Sequence, residues 1–180
     1  MINKLGWKIG GEQGEGLEST AEIFSTVINT LGYHMYSTRD FASRIKGGHS
    51  NSKICISEER INVIDYKTDI LIAFDQATLD SYIPELDENS IIIADAKIKP
   101  EISEEIKGLV AVFPITDLAK EIANPIIKNI ITLGICSALL DIDSKIFYDM
   151  IEAKFSSKGE EIVNTNIQAF DKGREIMNDF

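Results

Sequence analysis

The first apolar stretch of the chain, residues 5–9, runs directly into Gly10-Gly11-Glu12-Gln13-Gly14-Glu15-Gly16. Behind the glycines, Leu17, Ala21, Phe24, Ile28 and Leu31 recur at helical spacing, and Gly32 stops that helix. Residues 33–38 then read as a second strand. Strand, glycine turn, helix and strand, in that order, open a parallel α/β sheet. The first N–H groups of such a helix have no partner within it. Together with the helix dipole they make an anion-receptive site at the carboxyl edge of the sheet. Gly11, Gly14 and Gly16 are spaced three then two, the reverse of the dinucleotide fingerprint, and no Lys-Ser or Lys-Thr follows them as in a P-loop. The loop suits a phosphate or pyrophosphate cradle, and equally a tight connection that holds no ligand. Glu12 and Glu15 would repel phosphate unless they point away.

The rest of the chain continues the alternation. Residues 53–57 alternate with period two, as in a half-buried strand, and residues 61–64 are a candidate hairpin partner across Glu58-Glu59-Arg60. Residues 70–74 form an unbroken apolar run, expected of a strand covered on both faces. Asp75 is placed to cap a short helix reaching Tyr82. Residues 91–94 and 110–113 are further strands, and 116–123 a short helix. Residues 126–140 are apolar almost all round, which marks a central helix. Asp143 caps a helix to about Lys154, and residues 160–177 form the last one. The expected fold is α/β, a three-layer sandwich with a mostly parallel, Rossmann-like sheet and an antiparallel pair in the 53–64 region at one edge. With no repeat or linker, residues 1–180 read as one domain.

Charge narrows the chemistry. The chain carries 18 basic and 29 acidic side chains, a net charge of −11, which argues against duplex nucleic acid and against an anionic membrane surface. Two cysteines and two histidines supply neither a disulfide framework nor a four-cysteine metal site, and a reduced, cytoplasmic setting is expected. Cys55 and Cys136 sit among apolar neighbours as small buried residues, and His34 reads as packed. The acidic balance is broken once: residues 39–53 carry Arg39, Arg44, Lys46 and Lys53 against Asp40, a net +3. Within this island lies Ser43-Arg44-Ile45-Lys46-Gly47-Gly48-His49-Ser50. Arg44 offers a planar fork and Lys46 a point charge for phosphate or carboxylate, and Gly47-Gly48 permits a backbone nest beside them. The segment leaves the second strand, which places it near the glycine loop, at the edge where open α/β sheets take ligands. A solvated loop whose arginines pair with Glu12, Glu15 or Glu18 is the plainer reading. For His49, a structural hydrogen bond or a contact to another subunit outweighs a role as catalytic base.

Three blocks together carry a resemblance: residues 9–20 (Ile-Gly-Gly-Glu-Gln-Gly-Glu-Gly-Leu-Glu-Ser-Thr), Leu31-Gly32-Tyr33, and Ser43 to Ser50. Asn129 with Leu133-Gly134, the Phe155-Ser-Ser-Lys-Gly-Glu-Glu tail, Asn164, Ala169-Phe170 and Gly173 extend it. The chain resembles the gamma domain of 2-oxoacid:ferredoxin oxidoreductases, most closely the form fused ahead of the alpha part. The resemblance implies a part of an enzyme that oxidatively decarboxylates a 2-oxoacid to an acyl-coenzyme A and reduces ferredoxin. It implies thiamine diphosphate and iron–sulfur clusters in the alpha and beta partner parts only. The gamma domain packs against those parts and contributes to coenzyme A binding. The expected contacts are Gly10, Gly11, Gln13, Gly14, Gly16, Arg44, Lys46, Gly47, Gly48, His49, Ser50 and, from the family pattern, Asn129. No catalytic and no metal-ligating residue is expected, so the chain alone is expected to be silent, as a fragment or as a separate subunit.

Two other functions compete. A stand-alone nucleotide-binding oxidoreductase would use Asp40 as the acidic residue after the second strand and Arg39 for a 2′-phosphate, against the reversed glycine spacing. A scaffold domain would bind no small molecule at all.

Overall fold

The structure, a computed structural model, describes residues 3–41, 48–62 and 67–180. Six strands form one sheet in the order β2-β3-β1-β4-β5-β6. They are β1 (Lys4–Glu12), β2 (His34–Phe41), β3 (His49–Ser57), β4 (Ile70–Ala73), β5 (Ile91–Asp95) and β6 (Leu109–Phe113). β1, β4, β5 and β6 are parallel, and β3 runs antiparallel between β1 and β2. Among the described residues the α-helices are α1 (Leu17–Thr30), α2 (Gln76–Tyr82), α3 (Ile115–Ile122), α4 (Lys128–Leu139), α5 (Ser144–Phe155) and α6 (Glu160–Asn178). The α/β sandwich expected from the sequence is the observed fold.

Pleating sorts the layers. Odd residues of β1, Trp7 and Ile9, face the larger core with Ile54, Ile56, Ile70, Ile72 and Ile93, under α1, α3, α4, α5 and α6. Trp7 stacks on Phe24 of α1 with ring centroids 4.7 Å apart. Leu71, Ala73 and Ile92 face the other way, onto Leu79 of α2 and onto Leu86 and Ile106. Every residue of α4 from Lys128 to Ser137 is buried, as its all-round apolar sequence requires.

Two details differ from the sequence reading. Both ends of the polar stretch 39–51 are strand: β2 continues to Phe41, and β3 begins at His49. The antiparallel partners of β3 are β1 and β2; residues 61–62 lie outside any strand, and 63–64 lie outside the described residues. β3 is buried along almost its whole length because it lies inside the sheet and not at its edge. The edge role falls to β2, so His34 is exposed where packing was expected.

α4 and α6 approach to backbone contact. A Cβ on Gly134 would lie 2.0 Å from the Phe170 carbonyl oxygen, and one on Gly173 1.9 Å from that of Ile131. Gly173→Ala therefore forces the helices apart and should cost about 1–3 kcal/mol. The check is a lower urea midpoint at unchanged slope.

Candidate functional site at the carboxyl edge of the sheet

The four loop glycines divide into two jobs. Gly10 and Gly11 are still strand, and they are glycines because side chains crowd them. A Cβ on Gly10 would sit 2.5 Å from Thr78 Oγ1 and one on Gly11 2.5 Å from Glu15 Oε2. Gly14 and Gly16 make the turn, with φ of 94° and 80°. Gly16 is the N-cap of α1 and brings no side-chain acceptor, so the N–H groups of the first turn are left for solvent or a ligand.

Glu15 does not face the ligand side. Its Oε2 accepts from the Glu12 N–H at 2.9 Å, and its Oε1 meets Lys128 Nζ at 2.5 Å. Lys128 is 5 % exposed and lies 4.2 Å from the centre of the Phe74 ring. The repulsion expected from Glu15 is thus neutralised from within. Asn129, next in α4, packs its carboxamide under Gly16, where a Cβ would fall 1.9 Å from Nδ2. Its Oδ1 is buried without a hydrogen-bond partner among the described residues.

β1 and β2 run in the same direction, so the end of β2 and the start of β3 lie at the glycine edge. The Gln13 N–H donates to the Gly48 carbonyl at 3.0 Å, His49 pairs with Glu12, and Ser50 with Gly11. Gln13, Gly14, Gly16, Leu17, Ser19 and Ser50 line an open concavity of about 480 Å³, together with Glu18, whose carboxylate is paired with Arg39. The structure therefore unites Gly10, Gly11, Gln13, Gly14, Gly16, Gly48, His49 and Ser50, with Asn129 behind them. Arg44, Lys46 and Gly47 lie outside the described residues. Arg39 pairs with Glu18, and Asp40 accepts from Asn51 at 3.3 Å. β3 stands between β1 and β2, so Asp40 is not on the strand beside β1 where a dinucleotide ribose would need it.

His49 is held at both nitrogens. Nδ1 lies 3.2 Å from Asp75 Oδ2 and Nε2 3.1 Å from the Tyr82 hydroxyl. Asp75 also caps α2, accepting from the Thr78 N–H at 2.8 Å. His49 thus clamps the start of β3 to α2, the structural role that the sequence favoured.

Behind it lies a buried polar network absent from the sequence-based site. Lys8 and Lys53, 3 % and 6 % exposed, face each other across β1 and β3 and share Glu85, with Nζ–Oε distances of 2.5 and 2.9 Å. Thr68 donates to the same carboxylate at 2.6 Å, and Lys8 Nζ lies 3.6 Å from the centre of the Tyr82 ring. A lysine between Trp7 and Ile9 in a strand covered on both faces was the available signal, since a buried charge demands a partner. Burial pulls the Lys8 ammonium below its ordinary pKa, and Glu85 only partly restores it. Burial pushes the Glu85 carboxyl up, but hydrogen bonds from Lys8, Thr68 and Lys53 outweigh it and leave the group below its ordinary value. The Tyr82 phenol is pushed up to about 12 by burial and by Asp40, Glu85 and Asp75.

The profile of the pyruvate ferredoxin/flavodoxin oxidoreductase family matches residues 6–176. The chain belongs to that family. Its sequence is 28 % identical over 193 aligned residues to the alpha subunit of a 2-oxoacid:ferredoxin oxidoreductase from a Sulfolobus species, covering 84 % of this chain and 30 % of that one. Among solved structures, the 2-oxoglutarate:ferredoxin oxidoreductase of Magnetococcus marinus, with 2-oxoglutarate, coenzyme A and succinyl-CoA bound, superposes with a TM-score of 0.92 at 25 % identity, over 100 % of this chain and 32 % of that one. The gamma subunit of a keto/oxoacid ferredoxin oxidoreductase from Geobacter sulfurreducens PCA shares the fold at a TM-score of 0.82 and 22 % identity, over 98 % and 99 % of the two chains. The chain thus spans about 30 % of the length of the first two curated alpha subunits it matches. Among the described residues, no helix is long and apolar enough to cross a membrane.

Removing Glu85 takes the carboxylate away from the buried Lys8 ammonium. Glu85→Gln should cost about 3–5 kcal/mol at pH 7 in urea denaturation. Lys8→Met should cost less, because its desolvation leaves with its charge and Lys53 still faces Glu85. Since the folded carboxyl titrates below the unfolded one, its stabilisation is complete above the unfolded value near pH 4.3 and lost as pH falls through the folded one. The urea midpoints of the parent chain and Glu85→Gln should therefore begin to converge as pH falls below the unfolded carboxyl value and meet only below the folded one.

Proposed function

We propose that the chain acts as the gamma-type component of a thiamine diphosphate-dependent 2-oxoacid:ferredoxin oxidoreductase, and that its glycine rim holds the phosphates of coenzyme A. Family membership supplies the reaction class: oxidative decarboxylation of a 2-oxoacid to an acyl-coenzyme A, with electrons passed to ferredoxin. The observation that carries the ligand assignment is the uncapped first turn of α1 beside Gly48 and Ser50, with Glu15 turned inward onto Lys128. This leaves backbone donors facing an open concavity from which one of the two loop carboxylates has been withdrawn.

The residues present fit coenzyme A and not the other groups the family uses. Backbone N–H groups at Leu17 to Ser19 and the Ser50 hydroxyl are donors suited to phosphate oxygens, and Arg44 and Lys46 add the cations. Cys55 and Cys136 are buried, and burial pushes the Cys136 thiol up to about 12, so neither serves an iron–sulfur cluster. Thiamine diphosphate and the clusters are assigned to the alpha and beta parts, and the chain contributes binding and packing without a catalytic residue of its own. Two buried cysteines outside any disulfide among the described residues suit a reducing cytoplasm.

The test uses the enzyme reassembled from this chain with its alpha and beta parts, assayed by 2-oxoacid-dependent reduction of a low-potential dye. A charge-assisted hydrogen bond is worth about 1.5–3 kcal/mol, so Arg44→Ala with Lys46→Ala should raise the KM for coenzyme A about 10-fold or more. The kcat at saturating coenzyme A should stay nearly unchanged. An unaltered KM with weakened assembly would establish the scaffold role instead, and turnover by the isolated chain would overturn the component reading.

A further inference from the structure

A second cavity, of about 300 Å³, lies on the other side of Gly16. It is bounded by the start of α1, by the turn leading into α4 and by the end of α5. Its floor is hydrocarbon: Ile23, Ile127, Ile130 and Phe155, with Ile126 exposed at the mouth. Its rim carries two cations, Lys154 and Lys158. Asn129 also lines it. That side chain is 95 % buried, being 5 % exposed, and its Oδ1 has no hydrogen-bond partner among the described residues. A carboxamide with spare hydrogen-bonding capacity beside a cavity is what a ligand hydroxyl completes.

We propose that this cavity binds a small aliphatic 2-hydroxycarboxylate. The size is at the lower end for ligand sites and admits a molecule of amino-acid dimensions, but not a nucleotide. The hydrocarbon tail lies on the isoleucines and Phe155. The carboxylate meets Lys158 and Lys154, the latter now 2.6 Å from Glu22 at its Nζ. The α-hydroxyl reaches Asn129, whose carboxamide can present either its oxygen or its nitrogen by a half-turn. Such a molecule is the reduced counterpart of a 2-oxoacid. The cavity borders the glycine rim at Gly16 and Asn129, but its hydrocarbon floor and its two lysines are its own.

The test is calorimetric titration of the full chain with leucic acid and with isocaproate, which differs only in lacking the hydroxyl. Leucic acid should give a saturable one-site isotherm. Isocaproate should bind about 5–10-fold more weakly, as expected for a lost buried hydrogen bond of about 1–1.5 kcal/mol. Lys158→Glu, a change at an exposed position, should weaken leucic acid about 10-fold or more while leaving the urea midpoint unchanged. Glu22→Gln should tighten it by releasing Lys154. Absence of saturation, equal affinity for the two acids, or indifference to Lys158→Glu would each overturn the proposal. Coenzyme A affinity measured on the same Lys158→Glu protein should not move, which separates this cavity from the glycine rim.

Discussion

The insertion of β3 between β1 and β2 is the constraint from which the site follows. If β2 lay directly beside β1, as in a dinucleotide-binding fold, the chain leaving β2 would cross to the next parallel strand through a helix. Because β3 instead runs back antiparallel, its first residues lie at the carboxyl edge, and Gly48 is stitched to Gln13 by a backbone hydrogen bond. The glycine loop and the end of the basic island meet through strand pairing alone. The same insertion buries Lys53 opposite Lys8 and so creates the need for Glu85.

That need explains why one face of the sheet is polar at its centre. Two lysines, one glutamate, Thr68, Tyr82 and Asn51 occupy ground that Leu71, Ala73 and Ile92 fill farther along the same face. Hydrophobic residues there would be no less stable on general grounds. The network instead fixes the position of α2 relative to β3, because Tyr82 and Asp75, at the two ends of that helix, both hold His49.

Much of the fold was legible because periodicity survives in the sequence. The apolar runs of β4 and β5, the Asp75 and Asp143 caps, and the all-round apolar α4 are local signals, and each appears where it was expected. What was not legible depends on pairing between distant segments. The polar residues 49–52 read as loop because a strand buried inside the sheet is usually apolar; here Asn51 and Lys53 are compensated by Tyr82 and Glu85, some 30 residues away. His34 read as packed because nothing local says that β2 is the edge. The candidate site shows the same division: the turning glycines and the island were visible as motifs, whereas the inward fold of Glu15 depends on Lys128, 113 residues away.

The Glu15–Lys128 pair has a mechanical meaning as well. Lys128 is the first residue of α4, and α4 is pressed against α6 at Gly134 and Gly173 with no slack between the backbones. One ion pair thus ties the rim to a helix whose backbone lies directly on that of the C-terminal helix, so the rim is anchored to the most tightly packed seam of the molecule.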